Sequence, residues 1–203
     1  MPRSVGRNSV FCERIAGCQR ATEFCRNLRI RACTALYFLN SFFQAVVEVD
    51  SGTFRVLVIC TANICRSPAA QVLLQKELQD YNVLVESAGT RAVEGNPADS
   101  SMIELMLERG YDEILQHRSR ALLPSHTNRY QLLLCMERDH LASVQSLNPA
   151  VLGRARLFGQ WDGQSEVDDP VGRSIATYEK SVDRMTVLAG QWAKKMIEMG
   201  FVT

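Results

Sequence analysis

The sequence predicts an α/β fold, a single three-layer domain with a four-stranded parallel sheet flanked by helices on both faces. Three observations carry that expectation. Short apolar-rich runs at 54–60, 82–89, 131–136 and 155–159 alternate with stretches of helical period. The first, "FRVLVIC", is almost uninterrupted in its apolar character, as in a strand covered on both faces. The chain then runs into a long amphipathic stripe from Ile175 to Met199. Strands alternating with helices imply right-handed crossovers and a parallel sheet.

Each element has its own local reason. The first strand is β-branched and ends at Cys60. Ser67 and Pro68 then offer an N-cap and a first-position proline. Ala70, Leu74, Leu78 and Tyr81 follow at helical spacing, predicting a helix to about residue 80. "NVLVESAG" (82–89) is the second strand. Residues 98–109 form a helix with Met102, Met106 and Leu107 inward and Gly110 as its stop. "QLLLCM" (131–136) is the third strand, and a helix runs from about Glu137 to Leu147. "ARLFG" (155–159) is the fourth strand. In the last helix Ile175, Tyr178, Val182, Met185, Ala189, Trp192, Met196 and Met199 step by three and four, the mark of a core-facing stripe.

Ligands of such sheets bind beyond the carboxyl ends of the strands. The segment at the end of the first strand is "CTANICRS" (60–67). Backbone N–H groups from Thr61 to Arg66, through Ala62, Asn63, Ile64 and Cys65, can curl around an anion, and a helix N-terminus adds positive potential. Those donors favour a thiolate at Cys60, the attacking form of a cysteine. Arg66 returns to the rim with a planar fork suited to two phosphate oxygens. Ser67 can hydrogen-bond the sulfur. Asn63 tolerates the left-handed backbone that pins the loop. The same Cys-x5-Arg spacing recurs at Cys25–Arg31, where no buried strand precedes it and bulky side chains fill the loop, so spacing alone is no signal.

"VICTANICRSPAA" resembles the signature of the low-molecular-weight protein tyrosine phosphatases. "VESAGT" (85–90), "QHRSR" (116–120), "YQLLLCMERDH" (130–140), "RLFGQWD" (156–162) and "DDPVG" (168–172) follow in that family's order. The resemblance covers about residues 54–200. The segment from "LFGQWD" to "DP" is most similar to the bacterial branch that opposes tyrosine autokinases in capsule or exopolysaccharide production. Position by position, the resemblance implies Cys60 as nucleophile, Arg66 as phosphate ligand and Ser67 as an aid to the thiolate. It implies Asn63, Ser87 and His117 as braces of the loop and Asp169 as general acid, with Asp168 the other candidate. Chemistry asks for such an acid independently, because a tyrosine phenoxide leaves at a pKa of about 10 unless protonated. Cys65 has two readings: packing beneath the loop, or, as the resemblance implies, a reversible bond to the nucleophile. Cys135 reads as core, and His126 and His140 as surface residues. The chemistry requires no cofactor and no metal. Where eukaryotic members of the family line the pocket with aromatics, this chain offers Ala92, Val93 and Val171, so the expected wall is aliphatic. Thr61 and Ala62 also replace the loop's more usual residues.

The remaining composition sets bounds. Of 203 residues 46% are hydrophobic and the net charge is +1, which gives neither nucleic acid nor a membrane surface an electrostatic hold. Seven cysteines in no compact framework point to reduced thiols and a cytoplasmic setting. Residues 1–50 read as an N-terminal extension, disordered or starting from a misassigned codon, before a phosphatase domain at 51–203. They carry seven arginines against Glu13, Glu23, Glu48 and Asp50. Their apolar run at 32–47 is shorter than the roughly 18–20 residues that span a bilayer. A peripheral membrane contact or a signal-like role through that run stays open. The expected partner is a phosphotyrosine protein, a bacterial tyrosine autokinase among the candidates. Two other functions compete: an arsenate reductase of the same fold, which needs further mobile cysteines, and a non-catalytic phosphate-binding module, which needs neither Cys60 nor Asp169.

Overall fold

The computed structural model describes residues 52–202. The expectations for residues 1–50, including membrane contact through 32–47, lie outside the described residues. Strand β1 (Phe54–Cys60) leads through a loop into α1 (Arg66–Glu77). Then follow β2 (Val83–Gly89), α2 (Ser100–Glu108), the short α3 (Pro124–Thr127), β3 (Leu132–Cys135), α4 (Arg138–Leu147), β4 (Ala155–Leu157) and α5 (Ile175–Glu198). Single 3-10 turns at Asp112–Gln116 and Pro149–Val151 complete the set. The four strands form the expected parallel sheet, in the order β2-β1-β3-β4.

Strand periodicity divides the core in two. Val56, Val58 and Cys60 face one side of the sheet, where they pack with Leu74 of α1 and Met185 of α5. Leu57 and Ile59 face the other, with Val144 of α4 and Val151. Residues 56–59 are fully buried, each such side chain contributing about 1.5–3 kcal/mol of apolar burial. That explains the unbroken apolar run. At the edge of the sheet, Gln75 of α1 bonds the β2 backbone twice: its amide donates to the Val83 carbonyl (3.2 Å) and accepts from Val85 N–H (2.8 Å).

Several helix details differ from the sequence expectation. Helix α1 starts at Arg66 with Cys65 as its N-cap, so Ser67 is not the cap and Pro68 is the third helical residue rather than the first. Proline is accepted there because the N–H groups of a first turn have no intrahelical partner. The helix stops at Glu77, short of residue 80. In α2, Leu105 is buried and Leu107 is exposed, while Gly110 with φ of 79° does end the segment. The stripe on α5 holds from Tyr178 to Met196, but Ile175 and Met199 outrun the core and are exposed.

The neighbours of β1 are reached in opposite directions, β2 on one side and β3 on the other. A crevice opens at the carboxyl ends of strands where the order reverses in this way. Cys60 is paired with Gly89 across that end, and Ile59 with Cys135. The loop after β1 therefore meets the segments that follow β2 and β3.

Candidate active site

The loop 61–65 is shaped by where its carbonyls go. Cys60 C=O accepts from Thr90 N–H (3.0 Å), Thr61 C=O from Arg91 N–H (2.9 Å) and Ile64 C=O from Asp99 N–H (2.7 Å). The Asn63 carbonyl accepts from His117 Nε2 (2.7 Å). Four carbonyls are thus held outward by their surroundings. In trans peptides the N–H of the following residue points the opposite way. The amides of Thr61, Ala62, Ile64 and Cys65 consequently turn toward the loop's interior, the arrangement of an anion nest. Gly89 permits the tight approach: a Cβ there would lie 2.5 Å from the Thr61 carbonyl oxygen and 2.9 Å from Asn63 N.

Asn63 is the pin. It is fully buried with φ of 54°, a left-handed backbone that asparagine tolerates. Its amide nitrogen donates to Ser67 Oγ (3.0 Å) and Ser87 Oγ (2.9 Å), and its Oδ1 accepts from Arg120 N–H (2.9 Å). Ser87 passes its proton on to Gln71 Oε1 at 2.7 Å. Since Ser67 Oγ receives a proton from Asn63, its own hydroxyl is free to donate to Cys60 Sγ, 2.8 Å away. Asn63 N–H also donates to that sulfur at 3.3 Å. Both polar neighbours of the sulfur therefore act as donors. Arg120 is itself fixed, donating to the Ser87 carbonyl and to Tyr130 Oη and pairing with Glu86 at 3.1 Å.

Arg66 is only 2% exposed, yet its charge is fully met. It pairs with Glu137, donates to the Val167 carbonyl (2.9 Å) and reaches Asp169 Oδ2 (2.7 Å). Burial alone would lower its pKa. The hydrogen bond to Glu137 and the charges of Asp169, Cys60 and Glu137 outweigh burial and leave it above the ordinary value. Asp169 Oδ1 accepts from Val171 N–H, closing a tight turn around Pro170. Asp168 is exposed and does not join the site.

One cavity of about 160 Å³ is lined by Cys60, Thr61, Ala62, Ile64, Cys65, Arg66, Asp169 and Val171. Seven of the expected site residues, Cys60, Thr61, Ala62, Ile64, Cys65, Arg66 and Asp169, thus line one cavity together with Val171. Asn63, Ser67, Ser87 and His117 sit behind it as supports. Its wall is aliphatic, from Ala62, Ile64 and Val171, whereas Val93 is 69% exposed and does not line it. Cys65 is a free thiol driven well upward in pKa by burial, with Asp99, Asp169 and Cys60 adding to the shift and Arg66 opposing it. Burial likewise lowers His117, against the opposing bond to the Asn63 carbonyl. A neutral ring donating from Nε2 fits both facts.

His140 corrects the sequence reading. It is 4% exposed rather than on the surface, and its ring joins Thr61 to the first turn of α4. His126 is half-buried. Glu137, the partner of Arg66, was missed altogether. The signal for both was topological: they follow the carboxyl end of β3, which adjoins the end of β1. Cys135 is a core residue of β3, its thiol driven up by burial, so among the described residues no mobile cysteine stands ready for a thiol relay.

Residues 55–199 match the family model described as low molecular weight phosphotyrosine protein phosphatase. The low molecular weight protein-tyrosine-phosphatase Etp of Escherichia coli is 36% identical over 141 residues, covering 70% of this chain and 93% of Etp. The solved structure of Vibrio vulnificus Wzb in complex with benzylphosphonate is 36% identical with a TM-score of 0.67, over 71% of this chain and 99% of Wzb. The YwlE arginine phosphatase from Geobacillus stearothermophilus is 29% identical with a TM-score of 0.68, over 73% and 96% of the two chains.

Proposed function

Because this chain belongs to the low molecular weight phosphotyrosine protein phosphatase family, we propose that it is a protein tyrosine phosphatase working through a cysteinyl-phosphate intermediate. Supporting this reading above all is the single cavity that gathers Cys60, Arg66 and Asp169 at the carboxyl end of β1. The phosphoryl group of a phosphotyrosine enters the nest of inward amides, and the Arg66 fork takes two of its oxygens. Cys60 attacks phosphorus as the thiolate. As the S–P bond forms, the P–O bond to the tyrosine breaks, and Asp169 gives its proton to the departing phenolate. The Ser67 hydroxyl stays on the sulfur and stabilises it when it leaves. In the second step Asp169, now a carboxylate, takes a proton from water as that water attacks phosphorus, and inorganic phosphate and the thiolate are released. The aliphatic wall of Ile64 and Val171 supplies apolar surface for the tyrosine ring.

The substrate in the cell is a phosphotyrosine protein, and the family branch points to a bacterial tyrosine autokinase of exopolysaccharide production, met in the cytoplasm. Catalysis is assigned to residues 51–203, so deletion of residues 1–48 should leave turnover and thermal midpoint nearly unchanged, and a large drop in either would count against that assignment.

Turnover of p-nitrophenyl phosphate and of a phosphotyrosine peptide, set against arsenate with thioredoxin, tests the reading. Hydrolysis of both esters is expected. Turnover of neither ester would overturn it, and arsenate reduction in their place would establish the competing activity.

A further inference from the structure

Thr61 and His140 lie 79 positions apart in sequence, yet Thr61 Oγ1 is 2.8 Å from His140 Nε2. The other ring nitrogen, Nδ1, is 3.2 Å from Glu137 N. A backbone N–H can only donate, so Nδ1 must present its lone pair. The ring proton therefore sits on Nε2 and points at Thr61. With the proton on Nδ1, two N–H groups would oppose each other. The charged groups around the ring do not change this assignment. Burial holds His140 below its ordinary pKa and Arg66 lowers it further, against Glu137, Asp139 and Asp169. Glu137 Oε2 lies 4.0 Å from Nε2, farther than Thr61 Oγ1.

A hydroxyl that accepts from an imidazole N–H keeps its own proton for another acceptor. Among the described residues no protein group takes the Thr61 proton, and Thr61 lines the cavity with Cys60, Arg66 and Asp169. We propose that Thr61 is a phosphate-binding residue whose hydroxyl donates to a phosphoryl oxygen, and that His140 is the positioning residue that aims that proton into the cavity. The proposal rests on the phosphatase reading above and adds a side-chain donor to the backbone nest and the Arg66 fork. Its ligand class is a tetrahedral oxyanion: a phosphate monoester, the phosphocysteine or inorganic phosphate. A donor held in place before the ligand arrives loses little freedom on binding.

The test measures kcat/KM for p-nitrophenyl phosphate and, by calorimetry, the affinity for inorganic phosphate. Thr61→Val should lower both by about ten- to a hundredfold, the scale of one hydrogen bond to a charged group, and Thr61→Ser should recover most of that loss. His140→Phe should lower phosphate affinity in the wild-type background and cost nothing further beside Thr61→Val. Imidazole nitrogen NMR should show His140 protonated at Nε2. Unchanged phosphate affinity in Thr61→Val, or an undiminished His140→Phe effect in that background, would overturn the proposal. Should His140→Phe fail to fold, the valine and serine variants at Thr61 decide alone. Phosphate binding is read without turnover, so an inactive protein that still binds phosphate through Thr61 would count against the phosphatase reading only.

Discussion

Arg66 Nη2 lies 2.7 Å from Asp169 Oδ2, so the cation of the phosphate nest and the carboxyl proposed as general acid are already paired. On the proposed mechanism, a phosphoryl group that takes the Arg66 fork competes with Asp169 for it, and a displaced carboxyl would stand beside the leaving group. Substrate binding and release of the acid would then be coupled.

Asp169→Asn separates the two roles. It keeps a neutral partner near Arg66 but has no proton to give to an anion. Hydrolysis of phenyl phosphate should fall by about 10²–10⁴-fold, the usual contribution of a positioned acid. Hydrolysis of p-nitrophenyl phosphate, whose leaving group needs little protonation, should fall much less. Steady-state rates on the two esters make the comparison, and equal losses would remove Asp169 from that role.

Cys60→Ser replaces the sulfur with a hydroxyl that is a far weaker nucleophile at neutral pH. Turnover should drop below detection. The outward ties of the loop carbonyls do not involve the sulfur, so phosphate binding should persist. Calorimetry with inorganic phosphate checks this, and loss of binding would mean the sulfur holds the loop's shape.

Asn63→Ala strips three side-chain hydrogen bonds from a buried residue and keeps its left-handed φ. Each partner left unsatisfied costs about 1–3 kcal/mol. The thermal midpoint should fall by several degrees and kcat/KM by at least about tenfold. Differential scanning calorimetry alongside rates would show whether the pin serves shape, stability or both.

Gly89→Ala would place a methyl against the Thr61 carbonyl, with backbone atoms of the loop as the obstruction. Because backbone must move, the nest should open and phosphate affinity should drop, with the larger loss in activity rather than in thermal midpoint. A crystal structure of the variant with phosphate reads the displacement directly.

Acid should weaken the fold. His117 and His140 are both lowered in pKa, by burial first. The unfolded chain then binds more protons between the lowered values and the ordinary value of about 6.5. The stabilisation they provide is complete above that pH and is lost as pH falls from it toward the folded values. Urea midpoints from pH 8 to pH 5 should decline on the acid side, and His117→Gln should flatten the decline.

Much of this was legible in the sequence for physical reasons. The strands of a parallel sheet are covered on both faces, so 54–60 and 131–136 announced themselves by apolar content. The nest was legible because strand, small residues, Arg66 and a helix start stood in eight consecutive positions. Helix ends were harder. Ser67 has the chemistry of an N-cap, but its hydroxyl is committed to Cys60, and Cys65 ends up in the cap position without capping. His140 and Glu137 escaped notice because their partners, Thr61 and Arg66, are more than seventy positions away, and nothing local distinguishes a buried histidine on a helix's first turn from an exposed one. Leu107 was misjudged because Leu105, two positions before it and nearly opposite on the helix, is the leucine that shares the buried face with Met102 and Met106.

The two bonds from Gln75 to the β2 backbone carry a further meaning for the molecule's behaviour in company. An outermost strand offers its free amides and carbonyls to any passing polypeptide, which is how sheets recruit strangers and grow. Here a glutamine from the adjoining helix has already taken the place such a visitor would occupy at Val83 and Val85. At those two positions the margin is occupied by the sheet's own side chain, which a visiting strand would first have to displace.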